Sequence, residues 1–268
     1  MSLSPLRLTL VQGATRWHDA EANRGYYADL VRSQAGTSDL YLLPEMFLTG
    51  FTNETGSQSD TMDGQGLEWM RSLASEVGAV ITGSLVIREK EHHLNRLLWV
   101  RPDGSFEYYD KRHLFRMAGE QHHYAAGKAK LTVELNGWRI RPLVCYDLRF
   151  PIWSRNEHDA QAAGGMAYDL VLFVANWPAP RRQAWCSLLR ARAIENLAYC
   201  AGVNRVGTDG NAIAYAGDSA VIDPYGSALV DTGDQQQVVT VHLDPGLLLA
   251  HRERFPAWMD ADRYRIED

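Results

Sequence analysis

Arg141-Pro142-Leu143-Val144-Cys145-Tyr146-Asp147-Leu148-Arg149-Phe150-Pro151 runs an apolar strand into a cysteine and then directly into a turn and a helix start. A thiol at a strand end is held at the sheet edge, and the backbone N–H groups that follow point toward the same spot, where they can stabilise an oxyanion. The bland reading is equally physical, because free cysteine is among the most buried residue types and commonly packs as a small hydrophobe. Cys186, in the helical pattern 182–196, and Cys200, in the strand-like run 199–203, read that way.

Around this segment the chain alternates strand and helix signals. Leu6 to Val11 alternates apolar and polar residues as a half-buried strand does, a polar helical stretch covers about 18–35, and Asp39 to Leu43 is a short buried strand leading into Pro44-Glu45. Leu67 to Val77 has helical periodicity before the apolar strand Ala79 to Val86. Asn95 to Arg101 and Phe106 to Tyr109 flank Pro102-Asp103-Gly104-Ser105, which predicts an antiparallel hairpin, and Asn136-Gly137 is a second clear turn. Further strands are expected at 131–135, 138–145, 169–175, 199–206, 219–223 and 237–243, with helices near 151–163 and 181–198. Strands alternating with helices but interrupted by hairpins predict an α/β fold of packed sheets with helices on their outer faces. No linker or low-complexity run divides residues 1–268, so one domain is expected.

With 46% apolar and 22% charged residues the chain can bury a substantial core, and its net charge of −6, with both signs scattered, argues against a basic surface built to neutralise phosphate or anionic lipid. Neither nucleic acid nor membrane is an expected partner. No segment reaches the roughly 20 apolar residues of a membrane span, and the start lacks a secretory pattern, which predicts a cytoplasmic protein. Three cysteines without CxxC spacing suggest free thiols rather than a disulfide framework or a metal site.

Two other residues bear on the thiol. Glu45 follows the apolar run 40–44, where a buried acid needs a reason, and desolvation would raise it toward the range of a useful base; capping or ion pairing is the ordinary alternative. Lys111 follows the strand 106–109, where most lysines are solvated, although a fixed ammonium near the thiol would stabilise an oxyanion.

Taken together, Leu42-Leu-Pro-Glu45-Met-Phe47, Tyr109-Asp-Lys111-Arg-His-Leu-Phe115 and Val144-Cys145-Tyr-Asp-Leu-Arg-Phe-Pro151 resemble, in order, the three signature blocks of the nitrilase superfamily of carbon–nitrogen hydrolases. The similarity extends to the opening strand, Asn176-Trp177-Pro178, Arg190 to Asn196, Asn204 to Gly207 and Gly217 to Ser219. It implies a four-layer α-β-β-α sandwich with Glu45 as general base, Cys145 as nucleophile and Lys111 as stabiliser of the tetrahedral intermediate. It further implies an auxiliary role for Glu120, an oxyanion contact from the Tyr146 N–H, and no metal or organic cofactor. The run Cys145-Tyr-Asp-Leu-Arg-Phe150 is most similar to omega-amidases, which act on amides of small keto acids such as 2-oxoglutaramate and 2-oxosuccinamate; nitrilases usually carry Trp-Glu after the cysteine. Such a substrate needs a cation for its remote carboxylate. Arg149 is the candidate, against a structural pair with Asp147, and Phe115, Met117 and Trp177 are candidate pocket walls.

Two rival readings stand beside this one. A silent scaffold would keep the fold without the chemistry, and a papain-like hydrolase would require one of His113, His122 or His123 as the thiol's partner. The aromatic tail, about 250–268, is expected either to pack on a second copy in a homodimer or to fold back on its own chain.

Overall fold

The computed structural model describes residues 3–159 and 165–267. In its first half the strands are β1 (Leu6–Gln12), β2 (Leu40–Leu42), β3 (Val80–Glu89), β4 (His92–Val100) and β5 (Phe106–Asp110). The second half holds β6 (Val133–Leu135), β7 (Trp138–Val144), β8 (Leu170–Val174), β9 (Tyr199–Val203), β10 (Val206–Thr208), β11 (Ala214–Ala216), β12 (Ala220–Ile222), β13 (Ala228–Asp231) and β14 (Gln237–Leu243). The α-helices are α1 (Ala20–Arg32), α2 (Thr55–Gln58), α3 (Gln65–Val77), α4 (Pro151–Ser154), α5 (Arg182–Asn196) and α6 (Pro245–Arg254).

Two six-stranded mixed sheets result, in the orders β14-β1-β2-β3-β4-β5 and β13-β12-β9-β8-β7-β6, with β10 and β11 as a separate hairpin. Each sheet has a parallel centre, β1-β2-β3 and β7-β8-β9. Strand alternation decides the layers. Leu6, Leu8 and Leu10 of β1, with Leu97 and Trp99 of β4, pack against Ile140, Leu170 and Leu172 of the second sheet in one buried cluster. The opposite face of the first sheet, including Val11, Tyr41 and Ile81, meets Tyr27 and Val31 of α1 and Leu67, Met70 and Leu73 of α3. Trp185, Leu189 and Ala193 of α5 cover the outer side of the second sheet. The expected α-β-β-α sandwich is the observed one. No described helix is long and apolar enough to cross a membrane.

The hairpin expected at Pro102–Ser105 joins β4 to β5, closed by Arg101 N donating to Ser105 O at 2.9 Å, with Gly104 at φ +81°. Asn136 and Gly137 turn β6 into β7 with φ of +52° and +85°. Several boundaries differ from expectation. The helix expected over 151–163 is the single turn α4, because Asn156 instead accepts from Tyr168 N and donates to Tyr168 O and Asn196 O; residues 160–164 lie outside the described residues. The strand expected over 199–206 breaks at Asn204-Arg205, where the Asn204 side chain bonds Trp177 and Gly217 backbone. Residues 250–254, assigned to the tail, complete α6, whose start is capped by Asp244 accepting from Gly246 N at 2.8 Å. Beyond it the chain returns along its own surface: Trp258 stacks on His158 at 4.4 Å and Tyr264 Oη donates to Ile152 O at 3.1 Å.

Candidate active site

Both sheets deliver residues from strand ends, the usual place for ligand chemistry in α/β folds. Glu45 follows β2, Lys111 follows β5, Cys145 follows β7 and Asn176 follows β8. The turns are sharp. Met46 and Cys145 each have φ of +42°, a left-handed conformation that costs a side-chain-bearing residue free energy and that the surrounding structure must hold. At Cys145 the holding is visible: Asp147, fully buried, accepts from Val144 N at 3.1 Å, from Tyr109 Oη at 2.8 Å and from the His113 backbone N and ring Nδ1 at 3.0 and 2.8 Å. One carboxylate thus ties the cysteine turn to the segment that carries Lys111.

Beneath the thiol lies a sealed ion cluster. Glu45, Lys111 and Glu120 are 0%, 1% and 0% exposed, and Lys111 Nζ donates to Glu45 Oε1 at 2.9 Å and to both Glu120 oxygens at 3.0 and 2.9 Å. Glu45 is held further by Asn95 Nδ2 at 2.8 Å and Asn176 N at 2.8 Å, while Glu120 accepts from Phe115 N at 2.5 Å. Phe51 presents its ring face to the Lys111 ammonium at 5.5 Å. Such burial is tolerated because each charge has partners. Burial alone would lower the Lys111 pKa, yet the Glu120 and Glu45 carboxylates outweigh it, so the ammonium is held more firmly charged than usual. Burial, reinforced by the Glu45 charge, pushes the Glu120 pKa up against the pull of Lys111.

Cys145 is 8% exposed, and its Sγ lies 3.9 Å from the Asn176 carbonyl, to which it donates. Burial first, then the charge of Glu45, pushes its pKa well above that of an ordinary thiol, and the Lys111 ammonium only partly opposes this. The resting group is therefore a thiol beside a carboxylate, an arrangement that needs a base at the moment of attack. Tyr146 is the second residue of the 3-10 turn Cys145–Arg149, whose opening N–H groups have no acceptor within the turn.

Above the thiol is a pocket of about 490 Å³ counting its open mouth, bounded by Lys111, Phe115, Tyr146, Arg149 and Trp177 among others. Of the expected wall residues Phe115 and Trp177 are there. Met117 is not: it sits on the exposed 3-10 turn Arg116–Ala118 with 80% of its surface in solvent, because Phe115 supplies the inward-facing residue of that segment. Arg149 lines the pocket with its guanidinium 5.0 Å over the Trp177 ring, and the pairing with Asp147 does not form, since Asp147 is occupied by Tyr109 and His113. The histidine reading fails on geometry too. His113 bonds Asp147 and stacks on Phe150 at 3.8 Å, His122 and His123 are exposed, and among the described residues no histidine lines this pocket. Asn95, Asn176, Arg181 and Tyr215 were not singled out as site residues; of these only Asn176, in the Asn-Trp-Pro segment after a strand, carried a readable signal.

The carbon–nitrogen hydrolase family model matches residues 7–252. The chain is 48% identical to the omega-amidase YafV of Escherichia coli K12, over 97% of this chain and 98% of that protein. It is 32% identical to the 2-oxoglutaramate amidase of Bacillus subtilis, over 86% and 87% of the two chains. A carbon–nitrogen hydrolase superfamily protein of Xanthomonas campestris, solved with an arsenic adduct in its active site, superposes with a TM-score of 0.97 at 53% identity, covering 99% of this chain and all of the other.

Proposed function

Because the chain belongs to the carbon–nitrogen hydrolase family, we propose that it is an omega-amidase that cleaves the terminal carboxamide of a small omega-amido keto or dicarboxylic acid to carboxylate and ammonia. The observation that carries this reading is the contact of one ammonium, Lys111, with two buried carboxylates directly under a pocketed thiol.

In the proposed sequence Cys145 Sγ attacks the amide carbon while its proton passes to Glu45, and the carbonyl oxygen gathers charge facing the Lys111 ammonium and the Tyr146 N–H. Collapse breaks the carbon–nitrogen bond, Glu45 returns the proton to the departing nitrogen, and ammonia leaves a thioester on Cys145. Glu45 then takes a proton from water as that water attacks the thioester; the carbon–sulfur bond breaks and the proton goes back to sulfur. Glu120, through both of its oxygens, keeps the ammonium oriented through these steps.

Purified protein is expected to release ammonia from 2-oxoglutaramate and 2-oxosuccinamate in preference to simple aliphatic amides and nitriles. Release from nitriles alone would replace the amidase reading, and silence on every substrate would favour a scaffold. Phe255 and Met259, 60% and 66% exposed next to the returning tail, support a homodimer formed at this end of the chain. Light scattering at micromolar concentration checks it, and a monomer there removes the claim.

A further inference from the structure

Two guanidiniums reach the pocket, and the second of them, Arg181, has no role in the mechanism above. Arg149 comes from the 3-10 turn after β7 and lies on the Trp177 ring at 5.0 Å; Arg181 comes from the 3-10 turn Ala179–Arg181 after β8 and lies on the Phe115 ring at 5.1 Å. Both rings are pocket walls, and the Trp177 indole fixes the second turn by donating Nε1 to Arg181 O at 2.9 Å. Among the described residues neither guanidinium has a carboxylate partner, and the residues lining the pocket include no aspartate or glutamate. Elsewhere on the surface Arg7, Arg32 and Arg182 are each paired to an acid. A guanidinium held over an aromatic ring face still has N–H donors to offer a planar anion.

The geometry points to Arg181 as a specificity-determining residue that, together with Arg149, forms an acid-free double-cation mouth selecting short amides that carry a carboxylate and no ammonium group. This rests on the amidase reading and deepens it. The acids, Glu45 and Glu120, are buried under Lys111 and do not line the pocket, so its charged lining is cationic throughout, with Lys111 committed to the reacting amide and the two arginines left over. An omega-amido acid therefore enters amide first, with its carboxylate left against the two arginines. An alpha-ammonium, as in glutamine or asparagine, finds no acid there and meets two like charges, so the same carbon skeleton is refused in its amino-acid form and accepted in its oxo or unsubstituted form.

The test compares kcat/KM for 2-oxoglutaramate, succinamate, glutamine and the neutral butyramide in the wild type and in Arg181→Leu and Arg181→Lys. We expect Arg181→Leu to lose about 10- to 100-fold on the two carboxylated amides, mostly through KM, with butyramide unchanged. Arg181→Lys should recover part of the loss, because an ammonium restores the charge without the planar fork. Equal losses on charged and neutral amides would make Arg181 a wall residue only and overturn the inference. So would wild-type turnover of glutamine at the rate of 2-oxoglutaramate, or of butyramide at the rate of succinamate, and either result leaves the amidase reading standing. Failure of the wild type on every amide would instead remove the reading on which the inference rests.

Discussion

Cys145→Ala is expected to lower amide hydrolysis by about 10⁴-fold or more while leaving a folded protein. Alanine tolerates the same φ of +42° about as well as cysteine does, and the turn is held by the Asp147 carboxylate rather than by the thiol, so the loss lies in chemistry rather than architecture. Cys200→Ala is the matching control. Cys200 is fully buried in β9, and its replacement should cost about 1–2 kcal/mol of stability through a small void while activity per folded molecule stays the same. Burial pushes the pKa of all three thiols upward, most strongly for the fully buried Cys145 and Cys200, so thiolate content does not favour Cys145. A nearby base does. Iodoacetamide should therefore label Cys145 first, and Glu45→Gln should slow that labelling by about 100-fold or more. Equal labelling of Cys145 and the half-buried Cys186, indifferent to Glu45→Gln, would remove Glu45 as the base.

Lys111→Met combines a catalytic loss with a stability loss that has a defined pH dependence. Removing the ammonium leaves Glu45 and Glu120 buried and facing one another's charge, a situation worth about 3–5 kcal/mol of destabilisation. Already in the native protein the Glu120 pKa is raised above its ordinary 4.5, and without Lys111 the factor that opposes this rise is gone. Between that ordinary value and the raised one the folded variant keeps a proton that the unfolded chain releases, so stability falls as pH increases. Below the ordinary value both states hold the proton and the deficit disappears. Urea denaturation of variant and wild type at about pH 4.5, 6 and 8 should give midpoints that separate progressively, and parallel curves would show that the cluster is not held together by charge.

The sandwich was readable because its strands keep strict period where one face is buried, as in Leu6, Leu8 and Leu10, and because the turns at 102–105 and 136–137 have unambiguous chemistry. Boundaries failed where side chains replace backbone partners, at Asn156 and Asn204. Helix α6 went unread since Leu247, Leu248 and Leu249 run consecutively rather than at helical spacing, although Asp244-Pro245 is a recognisable start. Of the catalytic candidates, Cys145 announces itself by its place at a strand end. Lys111 does not: a lysine after a strand reads as solvated, and only acids 66 and 9 residues away along the chain make it buried. Arg181 and Tyr215 could not be found from local pattern at all, because their arrival at one pocket is decided by how β8, β10 and β11 are placed, not by their neighbours in sequence.

The sealed trio of Lys111, Glu45 and Glu120 also shapes how a lineage carrying this chain can change. Exchanging all three charges at once for apolar or amide side chains of similar volume is close to neutral for folding, whereas losing Lys111 alone is severe. Point substitutions arrive singly, so a descent that dismantles this cluster starting from Lys111 must first cross a poorly folding intermediate that the cell degrades. Selection for folded protein by itself therefore keeps Lys111 in place, and a copy relieved of its enzymatic task would retain it long after the activity had ceased to matter.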